Sequence, residues 1–318
     1  MKFITAFFMA WGNFLSIPCP VRKWEDKLKK EMLKMLPSVG LVVGLLWFLL
    51  AFVLWKIKLP ELISGFLMTA YIYMVTGFLH LDGFMDCRDA IMSRRSLEER
   101  QRILKDSRVG AFAVISVVFL ILGMFAAITS YLTIVKELDS AYGWIYLLPF
   151  LVIPVTSRHE AGVDVLRFKP METSQYVTLN SEEPDREGQG EAQKPTSKKA
   201  SAKKTKEPVA IAPLAMVIQS AIYILVPFII GLMVSGNAYV DNLDSGDLVK
   251  TLSSREAMFL IPFNLSWACA ISATFISIKV SKDQLGGMNG DIAGQGICIG
   301  ELAGVMAALA GLFFTRSI

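Results

Sequence analysis

The chain has 318 residues, of which 53% are hydrophobic and 19% charged, with a formal net charge of +4. Soluble domains carry about 25% charged residues, and a mean hydropathy of +0.49 exceeds what a soluble core of this length needs, so the apolar excess points to lipid. The small positive charge sits in a few segments rather than along one stripe, which argues against a nucleic-acid partner.

From the N-terminus, Phe3–Phe14 is apolar but too short to span comfortably, and it reads as a re-entrant or interfacial helix. Met1–Pro20 lacks a basic n-region beyond Lys2 and an A-x-A cleavage site, so it is expected to be retained. Over Arg22–Met35, Trp24, Leu28, Met32 and Met35 repeat at i, i+4, i+8 and i+11 among lysines. That pattern predicts a helix lying in the membrane interface, with a short soluble linker helix as the alternative.

Seven segments approach the roughly 20 apolar residues that a spanning helix requires. They are Leu36–Ile57, Glu61–Leu79, Gly110–Val135, Tyr142–Thr156, Val209–Ser235, Met258–Val280 and Ile292–Phe314. The fourth is short and carries Pro149 and Pro154. The fold class expected is therefore an all-α polytopic bundle of about seven spans, forming one membrane-embedded catalytic domain. Lys and Arg concentrate in Arg22–Met35, Leu81–Val109 and Ser157–Pro208, whereas the opposite loops are short or acidic (Asp241, Asp244, Asp247, Glu256). The asymmetry places the basic loops in the cytoplasm of a prokaryotic cell membrane. Four widely spaced cysteines (Cys19, Cys87, Cys269, Cys298) read as free thiols. Ser181–Pro208 has almost nothing to bury and reads as a disordered cytoplasmic loop; its lysines could touch anionic membrane lipid.

The chemistry gathers at the inner end of the second span, in Thr76–Met92, TGFLHLDGFMDCRDAIM. Asp82, Asp86 and Asp89 are spaced i, i+4, i+7, which stacks three carboxylates on one helix face. Carboxylates so close repel one another unless a cation lies between them. Hard oxygen donors beside a phosphate suit Mg²⁺; the alternative is a solvated face balanced by Arg88, Arg94 and Arg95. Downstream, Arg102 and Lys105 project in nearly one direction, followed by Asp106 and Arg108. Such cations serve a diphosphate substrate and equally serve topology. Gly286–Gly296, GGMNGDIAGQG, adds turns that allow close backbone approach, with Asn289 as a polar handle and Asp291 as a fourth carboxylate. His80 and His159 fall at cytoplasmic helix ends; His80 is a candidate general base or a cap, and His159 a packing or substrate contact. A prenyl- or CDP-alcohol-type transferase would need a second Asp-rich motif that is not seen. A cation transporter would carry its acids near the bilayer midplane, whereas here the spans are nearly free of charge.

The run TGFLHLDGFMDCRDA followed by RILKDSRVGAF closely resembles the cobalamin synthase family, the adenosylcobinamide-GDP ribazoletransferases. LPSVGLVVG (Leu36–Gly44), LGGMNGD (Leu285–Asp291) and the N-terminal FLSIPCP extend the resemblance over nearly the whole chain. Three features depart from the family pattern: Ala90 replaces a frequent glycine, Asn289 a usual threonine, and Ser181–Pro208 has no counterpart. The resemblance implies a Mg²⁺-assisted transferase. It would join a corrinoid nucleotide, adenosylcobinamide-GDP, to α-ribazole or its 5′-phosphate with release of GMP. On that reading Asp82, Asp86 and Asp89 hold the metal and His80 is the general base. Arg102, Lys105 and Arg108 contact phosphate, and Asp106, Asn289 and Asp291 complete the pocket. A homo-oligomer is left open.

Overall fold

Backbone amides and carbonyls in hydrocarbon have to be satisfied within the chain, which favours helices throughout. The computed structural model describes residues 2–138, 143–172, 174, 176, 177, 212–242 and 259–316. Among these residues the structure is helical except for one bridge between Pro170 and Met288. Eleven α-helices follow in order: α1 (Lys2–Phe14), α2 (Lys29–Lys34), α3 (Leu36–Lys56), α4 (Glu61–Met74), α5 (Leu79–Met92), α6 (Leu97–Ile103), α7 (Ala111–Glu137), α8 (Pro149–Arg167), α9 (Ala212–Asn242), α10 (Leu260–Leu285) and α11 (Gly290–Arg316). The predicted disordered loop Ser181–Pro208 lies outside the described residues.

Five helices, α3, α7, α9, α10 and α11, are long and apolar enough to cross a membrane. The pair α4 and α5 meets the same test only when joined, and its members are bent by 83° to one another. The expectation of seven spans therefore becomes five, or six with the bent pair. The segment predicted as the fourth span instead yields α8, which begins at Pro149 and continues to Arg167 through Arg158, His159, Glu160 and Asp164. Those charges disqualify it as a lipid-facing span, and nearly all of it is buried, enclosed by α3, α9, α10 and α11. The interfacial helix expected over Arg22–Met35 is also shorter. Only the turn Asp26–Leu28 and α2 are helical, because Glu25 is extended and the exposed Trp24 donates its indole N–H to Asp26 at 3.1 Å.

Close packing fixes the bundle. Gly40 and Gly44 bring α3 against the backbone of α8 at Leu151 and Pro154–Val155, as small residues do where helices meet in lipid. Trp47 of α3 lies edge-on to Phe150 of α8 (centroids 4.9 Å), and Tyr131 of α7 lies 5.5 Å from the same ring. The Trp47 indole donates to the Met68 carbonyl of α4 at 3.0 Å. Four helices thus share one aromatic clamp. α10 and α11 form the most extensive helix pair, and α11 also packs on α5, α7 and α8. The beginning of α11 is consequently the place where separate parts of the chain converge.

Candidate active site

α5 owes its position to a sharp elbow after α4. Gly77 (φ 58°) and Phe78 (φ 63°) both adopt left-handed backbone, which ends one helix and redirects the next. Glycine makes the first of these inexpensive. The elbow is held from outside by Ser16, whose N–H donates to the Val75 carbonyl (2.9 Å) and whose hydroxyl donates to Met74 (2.8 Å). α5, with its charged residues and its 83° turn away from α4, leaves the apolar spans. Its buried face carries His80, Gly83, Phe84, Cys87 and Ala90, while Asp82 is exposed and Asp86 and Asp89 are half-buried.

That buried face lies directly on the first turns of α11. A Cβ at Gly83 would stand 2.8 Å from the Asp291 Cα and 2.9 Å from its carbonyl oxygen, and one at Gly294 would stand 3.1 Å from the His80 Cα. Asp291 is thereby seated against the Asp82–Asp86 turn. Burial, then the charges of Asp82, Asp291 and Asp89, pushes the Asp86 carboxyl up to about 6. Asp86 therefore lies within reach of the other three carboxylates.

Asp89 has a further task. Its Oδ1 accepts the N–H of Ala113 at 3.3 Å, and Gly110 leaves room for its carboxylate at the start of α7. A carboxylate there satisfies an orphan amide and meets the positive end of the helix. Among the described residues no group of three His, Cys, Asp or Glu side chains is arranged to hold a metal ion. Mg²⁺ does not require such a cage: it keeps several waters and takes one or two carboxylates plus substrate phosphates. The oxygen-only set of Asp82, Asp86, Asp89 and Asp291, with its mutual repulsion, fits that donor chemistry.

The basic segment and the glycine-rich turn also meet. A cavity of about 280 Å³ is lined by Lys105, Gln101, Met171, Ser174, Asn289 and Asp291, among others. The Gln101 amide donates to the Leu285 carbonyl at 2.8 Å, tying α6 to the end of α10. The strand-like segment after α8 pairs with the glycine-rich turn: Met171 N–H donates to Met288 O and Met288 N–H to Lys169 O, each at 2.9 Å. Gly286 (φ 82°) and Gly287 (φ 155°) make this crossing possible. Asn289 caps α11, accepting the Ile292 N–H at 3.0 Å while its amide donates to Asp291 Oδ2 at 2.7 Å. It thus orients Asp291, a more structural position than the free polar handle expected.

The remaining cations divide. Lys105 faces the cavity, Arg102 is exposed on α6, and Arg108 is turned onto Asp106 at 2.7 Å. The Arg108 guanidinium and backbone N–H hold Asp106 down at about 2. His80 is buried, and its Nε2 has no hydrogen-bond partner among the described residues. His159 is buried too, with Nδ1 2.9 Å from the Ser220 hydroxyl, which places it in packing between α8 and α9.

Two features were not anticipated. Gln101, Met171 and Ser174 line the cavity without any motif to mark them. Arg158 of α8 and Glu301 of α11 form a fully enclosed ion pair at 2.6 Å, with side chains 0% and 3% exposed. Glu301 is thus a buried charge within α11, a helix long and apolar enough to span. A lone Glu301 inside an apolar run was the available signal, since buried charges require partners.

A family model described as cobalamin-5-phosphate synthase matches residues 6–309. The adenosylcobinamide-GDP ribazoletransferase of Clostridium perfringens strain SM101 is 33% identical over 304 residues, covering 96% of this chain and 97% of that protein. The enzyme of the same name from C. perfringens strain 13 matches with the same identity and coverage. That of Clostridium botulinum strain Eklund 17B is 38% identical over 173 residues, 54% of this chain and 65% of that protein. No solved structure matches the chain.

Proposed function

The chain belongs to the cobalamin-5-phosphate synthase family, and on that premise we propose that it is a membrane transferase joining adenosylcobinamide-GDP to α-ribazole or its 5′-phosphate. The acceptor hydroxyl forms a new P–O bond to the phosphorus attached to the cobinamide arm. The diphosphate bridge breaks, GMP leaves, and the hydroxyl proton passes to the protein. The supporting observation is that Lys105 and the Asn289–Asp291 turn line one cavity, while the Asp82–Asp89 helix packs through Gly83 against Asp291. The prenyl- or CDP-alcohol-type and transporter readings are not favoured by the family match.

Phosphoryl transfer of this kind needs positioning and charge neutralisation more than covalent help from the enzyme. Asp82, Asp86 and Asp291 would hold Mg²⁺, with Asp89 completing the set from its seat on α7. The ion supplies charge neutralisation at the diphosphate oxygens. Lys105 binds a diphosphate oxygen from the cavity wall, and Arg102 and Arg108 supply a basic rim that attracts the anionic donor. Asp106 holds Arg108 in place, and Asn289 holds Asp291. His80 is the residue assigned to take the hydroxyl proton on Nε2. The concentration of Lys and Arg in the adjoining loops supports a cytoplasmic position for this site.

The experiment is direct: purified protein, adenosylcobinamide-GDP, α-ribazole and Mg²⁺, followed by chromatography for a corrinoid product and GMP. Asp82→Asn is expected to abolish turnover while inserting and purifying as wild type, since Asp82 is exposed and supports no packing. Near-normal turnover in that variant would remove Asp82 from the metal site.

A further inference from the structure

On the other flank of the α4–α5 elbow, a second cavity of about 480 Å³ lies between α1 and the segment that follows it. Ligand pockets of small molecules fall in the range of about 300–1,000 Å³. Phe8, Met9, Ile17 and Pro18 make most of its wall apolar, Asn13 adds one amide, and Arg22, Lys23 and Trp24 also line it. The walls are fixed by hydrogen bonds. The Trp11 indole donates to the Ile17 carbonyl at 3.1 Å, and the Cys19 thiol approaches the Val21 carbonyl at 3.0 Å and the Phe8 carbonyl at 3.4 Å. Ser16 then fastens the same segment to Met74 and Val75. From there the chain passes through Gly77 and Phe78, and the Phe78 carbonyl accepts the Asp82 N–H at 2.9 Å. The cavity is therefore attached through a few hydrogen bonds to the first carboxylate of the acidic helix.

We propose that this cavity binds the acceptor: the planar, largely apolar heteroaromatic base of the nucleoside sits between the α1 wall and Pro18, and a 5′-phosphate is met by Arg22. The inference deepens the transferase reading and rests on it. The chemistry of the lining selects among the molecules in that reaction. A corrin ring with its amide side chains is too large for either cavity, and of the donor only the diphosphate reaches the first one, at Lys105. Guanine carries more hydrogen-bonding groups than the single amide of Asn13, set among Phe, Met, Ile and Pro, can pair, at the cost of burying unsatisfied polar groups. A benzimidazole-type base has little edge polarity and matches the lining. At the mouth, Lys23 is already paired with Glu25 at 2.6 Å and Trp24 donates to Asp26, whereas Arg22 has no ion pair among the described residues. An unpaired guanidinium suits a phosphate. The Ser16 hydrogen bonds to Met74 and Val75 put this cavity beside the elbow that starts the acidic helix, where the acceptor hydroxyl would reach the donor phosphorus.

The test is equilibrium binding to the purified full chain in detergent, without turnover, read from fluorescence of the neighbouring Trp11 and Trp24. α-Ribazole and its 5′-phosphate are titrated separately. Both should bind saturably, the phosphate form about tenfold more tightly, as expected for one charge-assisted hydrogen bond. Arg22→Ala should reduce that preference below twofold and leave binding of the unphosphorylated nucleoside unchanged. Gly12→Phe, which fills the cavity, should weaken both ligands more than tenfold, and unchanged affinity for adenosylcobinamide-GDP shows that this variant is folded. If Gly12→Phe misfolds, Pro18→Trp takes its place. No saturable binding to wild type, wild-type binding by the filled variant, or an undiminished phosphate preference in Arg22→Ala each overturns the proposal. So does competition at Arg22 by phosphatidylglycerol in nanodiscs with no response to the nucleoside phosphate, which assigns the mouth to a lipid headgroup. Nucleoside binding by a protein without transferase activity would sink the transferase reading alone. An active transferase whose acceptor KM ignores Gly12→Phe would sink the acceptor pocket alone.

Discussion

Gly83→Ala tests whether the site depends on contact between α5 and α11. The added Cβ would lie 2.8 Å from the Asp291 Cα and 2.9 Å from its carbonyl oxygen, both backbone atoms that cannot rotate aside. Restoring ordinary van der Waals contact requires the helices to part by roughly half an ångström. Overpacking of this kind costs roughly 1–3 kcal/mol, and replacing a helical glycine by alanine returns roughly 0.5–1 kcal/mol. The net expectation is a loss of about 0–2.5 kcal/mol. Catalysis should suffer more, because a misplacement near 1 Å costs about 100-fold in rate, so half of that displacement predicts about tenfold in kcat. Gly123→Ala is the control: its Cβ would meet only the Leu302 methyls at 3.7 Å, an ordinary contact. It should keep the helix gain and wild-type turnover. Both variants are compared by thermal denaturation in detergent and by the initial rate of GMP release. Wild-type Tm and kcat in Gly83→Ala, or equal losses in Gly123→Ala, would refute the reasoning.

Glu301→Ala leaves the enclosed Arg158 guanidinium without its partner and should destabilise the protein by about 3–5 kcal/mol; a loss under about 1 kcal/mol, read from denaturation, would mean that the charge finds another partner. Lys105→Ala should raise the KM for adenosylcobinamide-GDP by roughly tenfold, from the loss of one hydrogen bond to a charged group, with little change in the acceptor KM. A larger effect on the acceptor would move Lys105 out of the donor pocket. Replacing Ser181–Pro208 by a short Gly/Ser linker should leave turnover largely intact, because that composition offers nothing to bury; complete loss with normal insertion would give the segment a catalytic role.

Local pattern determined much of this protein from sequence alone. Runs of apolar residues set α3, α7 and α11 within about two residues of their observed ends, and located α9 and α10 with C-terminal ends that run seven and five residues further, because length and hydropathy are properties of a contiguous stretch. The i, i+4, i+7 spacing placed Asp82, Asp86 and Asp89 along one helix, since a helix converts spacing into direction. Where a segment's state depended on its neighbours, the sequence was silent or misleading. α8 looked like a short span and became an enclosed helix, because Arg158 on α8 is neutralised by Glu301 on α11, 143 positions away. Asp89 looked equivalent to Asp82 and Asp86, yet the start of α7 claims its carboxylate. Asn289 looked like a ligand contact and serves first as the cap that aims Asp291. The seating of Asp291 beside Gly83 likewise follows from helix packing, which pairs residues far apart in the chain and leaves no periodicity to read. Periodicity reports which face a residue occupies; only the packed bundle decides what that face meets.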